Sequence, residues 1–136
     1  MIWVGIDPGT HTGLAVWDAE EKRFLSIETT VIHRAMARVE ALHARYGDDL
    51  IVRFEDARQR TWFGAAGREQ LQGAGSIKRD CSIWEDFLAD RGISFMALPP
   101  KASRTKMRPD AFSRITGWVN RCSEHARDAA MMVFGK

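Results

Sequence analysis

Residues 3–18, WVGIDPGTHTGLAVWD, constrain the fold more than any other part of the chain. Two apolar runs, residues 2–7 and 14–17, are joined by a segment in which Pro8, Gly9 and Gly13 supply turn chemistry. The runs therefore read as two antiparallel strands of a hairpin with a longer loop. The first run ends in a carboxylate, Asp7, where the backbone turns back. Taken alone, an Asp before Pro-Gly is ordinarily a turn residue. A second short apolar run, LIVRFED at 50–56, also ends in carboxylates, Glu55 and Asp56. Two strands that end in acid set the question for the rest of the chain.

Between them, residues 24–32 alternate well enough for a third strand, antiparallel to the hairpin. From His33 the pattern changes to helical spacing, with Ala35, Val39, Leu42 and Tyr46 on one stripe and Gly47 as a stop. After 50–56 comes a polar, aromatic-bearing loop, and then a long helical stretch over 68–91. Its apolar stripe runs through Leu71, Ala74 or Gly75, Ile77 or Lys78, Cys81, Trp84 or Glu85, and Leu88. Gly73 and Gly75 weaken this helix and imply close approach of another helix, in this chain or in a second copy. Residues 93–98 form a fifth strand, closed by Pro99 and Pro100. Asp110 reads as the N-cap of a short helix over 111–117, and Ser123 as the N-cap of a last helix, EHARDAAMMVFG.

This order, three antiparallel strands followed by strands reached through helical crossovers, is that of an α/β fold with a mixed five-stranded sheet flanked by helices. At 136 residues, with 45% of them apolar and five tryptophans, the chain is expected to form one domain, residues 1–136, around one core. Cys81 and Cys122 stand alone without zinc-ligand spacing, and no charged and apolar leader opens the chain, so a reducing cytoplasm is the expected location. No apolar run approaches the roughly 20 residues of a membrane span. The net charge is only +2, but residues 98–121 hold six Lys or Arg against the single Asp110, a local basic field.

In mixed sheets of this kind ligands gather beyond strand ends. If the first and fourth strands are parallel neighbours, Asp7 and Glu55 lie side by side, an arrangement that favours hard cations bridged to phosphate oxygens. On the last helix His125 and Asp128 are three residues apart and share a face, while Glu124, four residues from Asp128, competes for it. Ala129, Met132 and Val133 make that side of the helix apolar, so it is expected to pack on the sheet. Asp7, Glu55, His125 and Asp128 then converge. Asp56 points to the other face and reads as a solvated or turn residue.

With these pieces together, GIDPGTHTGLAVWD, VRFED, QLQGAGSIKRD and EHARDAAMMVFG, the chain resembles the RuvC-type Holliday-junction resolvases of the RNase H-like superfamily, and most the compact phage-encoded members. The resemblance covers essentially the whole chain. It implies a metal-dependent endonuclease that resolves four-way or branched DNA in recombination and repair, with two Mg²⁺ or Mn²⁺ ions per site held by Asp7, Glu55, His125 and Asp128. Where the family commonly has aspartate, this chain has His125, which shifts the expectation toward Mn²⁺. It further implies a homodimer through the helix around 68–91 that nicks opposed strands, working in the host cytoplasm if phage-encoded. DNA contacts are expected from Arg58, Arg60, Lys78, Arg79, Lys101, Arg104, Lys106 and Arg108, with Trp62 and Phe63 stacking on unpaired bases. Three rivals remain: an RNase H-like enzyme cutting RNA/DNA hybrids or other branched DNA, a catalytically inert DNA-binding protein of the same fold, and an actin-like phosphate-binding module. Length argues against the last, which needs two lobes.

Overall fold

The structure is a computed structural model that describes residues 1–59, 68–100 and 107–136, with backbone only for 68–74. Five strands, β1 (Ile2–Asp7), β2 (His11–Asp18), β3 (Arg23–Val31), β4 (Leu50–Glu55) and β5 (Phe95–Leu98), form one sheet in the order β3-β2-β1-β4-β5. The β1/β2 and β2/β3 pairs are antiparallel, whereas β1/β4 and β4/β5 are parallel. Four described helices, α1 (Ile32–Tyr46), α2 (Arg68–Asp90), α3 (Pro109–Thr116) and α4 (Glu124–Met131), flank it.

Because side chains alternate along a strand, the register sorts the sheet into two faces. Ile2, Val4, Ile6, Leu14, Val16, Leu50, Val52 and Phe54 turn one way and meet Ala35, Val39 and Leu42 of α1 and Cys81, Trp84 and Leu88 of α2. Trp3, Gly5 and Asp7 of β1, with Gly13, Ala15 and Trp17 of β2, turn the other way, toward Ala126, Ala129, Ala130 and Val133 of α4 and Phe112 of α3. A register shift between Val16 and Trp17 keeps Phe24 and Ile27 of β3 on the α4 face. There Trp17, Phe24 and Phe134 stack edge and face, and the Trp17 indole N–H donates to the Lys136 carbonyl at 3.1 Å, which fixes the segment after α4.

The observed elements correct the sequence reading at several boundaries; β5 begins at Phe95 rather than at 93, and α4 ends at Met131 rather than running through EHARDAAMMVFG. β2 begins at His11, three residues before the expected 14, because His11 pairs with Val31 and Gly13 with Asp7. The turn thereby shortens to residues 8–10, closed by the Thr12 hydroxyl donating to the Gly9 carbonyl at 2.8 Å. Asp110 is not the N-cap of α3: Arg108 takes that place and Pro109 opens the helix, since the fixed φ of proline suits the first helical position. Asp110 instead sits in the first turn, where its charge faces the positive end of the helix dipole. Ser123 caps α4 as expected, its hydroxyl accepting from the Ala126 N–H at 3.2 Å and contacting the Thr29 hydroxyl of β3. Ser123→Ala is expected to cost about 1 kcal/mol, read as a lower urea midpoint at unchanged slope. No described helix is long and apolar enough to cross a membrane.

Candidate active site

The parallel pairing of β1 with β4 runs Gly5 to Arg53 and Ile6 to Phe54, and the next step of that register sets Asp7 beside Glu55. Both residues end their strands, and both belong to the face that carries α4, since Phe54 and Ile6 point to the opposite core. The two carboxylates thus share one edge and one face of the sheet.

What brings the terminal helix onto that edge is a pair of glycines. Gly5 and Gly13 lie on adjacent strands of the α4 face, and a Cβ built on either would overlap the backbone of α4: the Ala129 carbonyl above Gly5, and the His125 carbonyl above Gly13. The helix therefore rests main chain against main chain on the sheet. Both ends are also pinned. Arg127 donates to the Met107 and Cys122 carbonyls at 3.0 and 2.7 Å, and Arg53, lying over the Trp3 ring, donates to the Met132 carbonyl at 3.3 Å. Glycine inside a strand is a signal for close backbone approach. That signal was present in VGID and THTGL, and the sequence reading used Gly13 only as a turn residue.

At this depth His125 reaches Asp7, with Nδ1 2.9 Å from Oδ2. An ionised carboxylate can only accept, so towards ionised Asp7 it is His125 Nδ1 that donates. The imidazole is half exposed, whereas the Asp7 side chain is 15% exposed. Burial pushes the Asp7 carboxyl up from 3.8 to about 6; the His125 hydrogen bond opposes that rise, and the charges of Asp128 and Glu55 add to it. Asp7 is thus within electrostatic reach of each of the other three residues. Of the competitors on α4, His125 makes the Asp7 contact, while Glu124 lines a cleft with Pro109, Ser113 and Arg127 beside the α4 N-terminus. Among the described residues, no three His, Cys, Asp or Glu side chains stand close enough together to hold a metal ion as placed.

Asp56, expected as a solvated or turn residue, is a turn residue, its Oδ1 accepting the Arg58 backbone N–H at 3.0 Å, but it is not solvated. It is buried and takes a two-pronged ion pair from Arg58, Nε to Oδ1 at 2.8 Å and Nη2 to Oδ2 at 2.9 Å. These bonds hold its carboxyl below the usual carboxylate range. The reason is that the chain folds back after β4 in a short 3₁₀ turn, Ala57–Gln59, against α2. Of the residues expected to contact DNA, Arg79 on α2 and Arg108 before α3 are exposed, and Lys78 is half-buried. Arg60, Trp62, Phe63, Lys101, Arg104 and Lys106 lie outside the described residues. Gly5, Arg53, Ser82 and Arg127 were not singled out from sequence, and Glu85 only as an alternative to Trp84 in the α2 stripe; apart from Cys122 beside Arg127, the partners that give them their roles lie 20 or more residues away.

No protein-family model matches the chain, and no curated protein matches it. Solved structures do match. T. thermophilus RuvC in complex with a Holliday junction substrate aligns at a TM-score of 0.64 with 22% identity, covering 99% of this chain and 91% of that one. The fold is that of RuvC. The fowlpox virus resolvase, solved with its substrate Holliday junction DNA, aligns at 0.48 with 11% identity over 97% of each chain. The RuvC fold accounts for the mixed RNase H-like sheet, with three antiparallel strands followed by parallel ones and helices on both faces. At the edge of this sheet Asp7 and Glu55 end neighbouring parallel strands, and His125 of α4 is hydrogen-bonded to Asp7.

Proposed function

We propose that the protein is a divalent-metal-dependent endonuclease that cuts four-way or branched DNA, and that Asp7, Glu55, His125 and Asp128 form its active site. What supports this reading is that Asp7 and Glu55 end neighbouring parallel strands, that His125 of α4 is hydrogen-bonded to Asp7, and that Asp7, pushed up to about 6 mainly by burial, also feels the charges of Asp128 and Glu55. Such excess negative charge suits a hard cation with water and phosphate completing its shell. The RuvC fold, seen elsewhere on a Holliday junction, supports the junction as substrate.

Asp7, Glu55 and Asp128 are the residues that would hold Mg²⁺ or Mn²⁺, two ions in the two-metal form of the reaction, with His125 as a fourth donor. When bound, such ions lower the pKa of water and stabilise charge on the leaving oxygen. The reaction is hydrolysis: a water oxygen bonds to phosphorus as the bond to the 3′-oxygen breaks, and the protons of that water end on the leaving oxygen and in solvent. Asp7 orients the half-exposed His125 ring through Nδ1, which leaves Nε2 as the ring atom that would face water or a metal shell. The exposed Arg79 and Arg108 supply phosphate affinity. A two-fold dimer through α2, whose Ile77 and Ile83 are exposed apolar residues, would present two sites to two strands of a symmetric junction.

The test is to incubate the purified protein with a synthetic four-way junction, a Y-fork, a duplex and an RNA/DNA hybrid, under Mg²⁺ or Mn²⁺. Paired nicks in the junction are expected; cleavage confined to the hybrid would replace the reading with an RNase H-like one. His125 offers a sharper check, because imidazole is commoner in Mn²⁺ than in Mg²⁺ shells. His125→Ala is expected to lose most activity. His125→Asp should keep activity with Mg²⁺ and lose any advantage of Mn²⁺, while Glu124→Ala should stay near the wild-type rate. Active His125→Ala with inactive Glu124→Ala would exchange the two roles.

A further inference from the structure

Beyond the four residues of the site, the backbone that carries Glu55 is tied to α2. The Cys81 thiol donates to the Glu55 carbonyl at 3.5 Å, and the Asp56 N–H donates to the Leu98 carbonyl of β5 at 2.7 Å. Arg58 then spans the gap. Besides its fork to Asp56, its Nη2 donates to Glu85 Oε2 at 2.6 Å and its Nη1 to Ser82 Oγ at 3.3 Å, while its own backbone N–H closes onto Asp56 Oδ1 at 3.0 Å. Cys81, Ser82 and Glu85 occupy one face of α2, at i, i+1 and i+4. Gln59 completes the turn, its side-chain amide donating to the Ala97 carbonyl of β5 at 3.2 Å.

We infer that Arg58 is a positioning residue for Glu55: it locks the turn that follows the glutamate onto α2 and thereby fixes where the Glu55 carboxylate stands relative to Asp7. This inference rests on the proposed nuclease reading and gives Arg58 a role other than phosphate contact. Two observations separate the alternatives. The Arg58 charge is already met by two carboxylates, Asp56 and Glu85, so the cluster is net acidic and offers a phosphate no attraction. Most of its N–H groups are also spent on the fork, on Glu85 and on Ser82, in the geometry guanidinium uses for rigid bridging and ammonium cannot reproduce. The same link means that a displacement of α2 is transmitted to Glu55.

The experiment compares Arg58→Ala, Arg58→Lys and Glu85→Gln with the wild type on one four-way junction. A positioning role predicts that the cleavage rate at saturating junction falls about 10- to 100-fold in both Arg58 variants and less in Glu85→Gln, and that adding Glu85→Gln to Arg58→Ala costs no more than Arg58→Ala alone. Junction affinity and its dependence on salt stay as in the wild type. A phosphate contact predicts the reverse, weaker binding with the salt slope reduced by about 1 and a normal rate at saturation, and that result overturns the inference. Without DNA, the Mn²⁺ concentration that half-stabilises Arg58→Ala against heat should rise several-fold, and the amides of 56–59 should exchange faster. An unchanged Mn²⁺ midpoint also overturns it. Should Arg58→Ala fail to fold, Glu85→Ala, altered on the partly exposed surface of α2, takes its place in the same measurements. If the wild type itself neither cuts any branched substrate nor responds to Mn²⁺, the nuclease reading fails instead.

Discussion

Asp7→Asn is expected to melt at a higher temperature than the wild type at pH 7 without divalent ions, and to cut DNA about a thousandfold more slowly or worse. Both effects come from one charge. A carboxyl raised from 3.8 to about 6 binds its proton more tightly in the folded chain than in the unfolded one. Its contribution to stability is therefore greatest below pH 4 and is lost as pH rises through 6, a difference of about 3 kcal/mol. Asparagine carries no charge at any of these pH values and escapes that loss. It gives back part of the gain by weakening the hydrogen bond to His125, which leaves a net stabilisation of about 1–2 kcal/mol, or roughly 3–8 °C in melting temperature. Calorimetry from pH 4.5 to 7.5 checks this: the difference between variant and wild type should grow as pH rises. Asp56 has the opposite sign, since its carboxyl lies below the usual range, and its contribution is lost only in acid, below that window. Junction binding by Asp7→Asn should be unchanged or tighter, because a negative charge has left a surface that faces phosphate. An Asp7→Asn protein that nicks at a substantial fraction of the wild-type rate would remove Asp7 from the proposed site.

Gly13→Ala and Gly5→Ala are expected to lower stability by about 3 kcal/mol or more each, although in a strand alanine ordinarily improves on glycine. The added methyl group would meet backbone atoms of α4, the His125 carbonyl in one case and the Ala129 carbonyl in the other, and no side chain can rotate away to make room. The helix must lift or tilt. Lifting it also breaks the apolar contact of Ala126, Ala129 and Ala130 with the sheet and draws His125 off Asp7. Each variant should therefore lose cleavage even at a temperature where it is still folded. Denaturant unfolding with cleavage at 15 °C makes the check. A Gly13→Ala protein of wild-type stability would mean that α4 does not rest on the strands as closely as described.

The alternation of residues 2–7 and 50–55 was enough to recognise two strands that end in acid, and the Ala35, Val39, Leu42 stripe was enough for α1, because periodicity states which side of an element is apolar. Ser123 was legible as a cap because capping is settled within four residues. Which elements meet is another matter. That β1 and β4 are parallel neighbours, so that Asp7 and Glu55 share an edge, depends on the strand order, and periodicity carries no such information. The choice of His125 over Glu124 depended on how deeply α4 sits, and Gly5 and Gly13 set that depth from more than 100 positions away. Asp56 was legible as a turn residue but not as a buried one: its partner Arg58 is two residues on, whereas its burial comes from α2, where Ser82 and Glu85 close over the turn. The sequence by itself determined the strands, the helices and the residue types available for chemistry, since these follow from local patterns of polarity. Only the tertiary structure decided that Asp7 and Glu55 end neighbouring strands and that His125 meets Asp7, because such contacts are set by backbone packing between segments far apart in the chain.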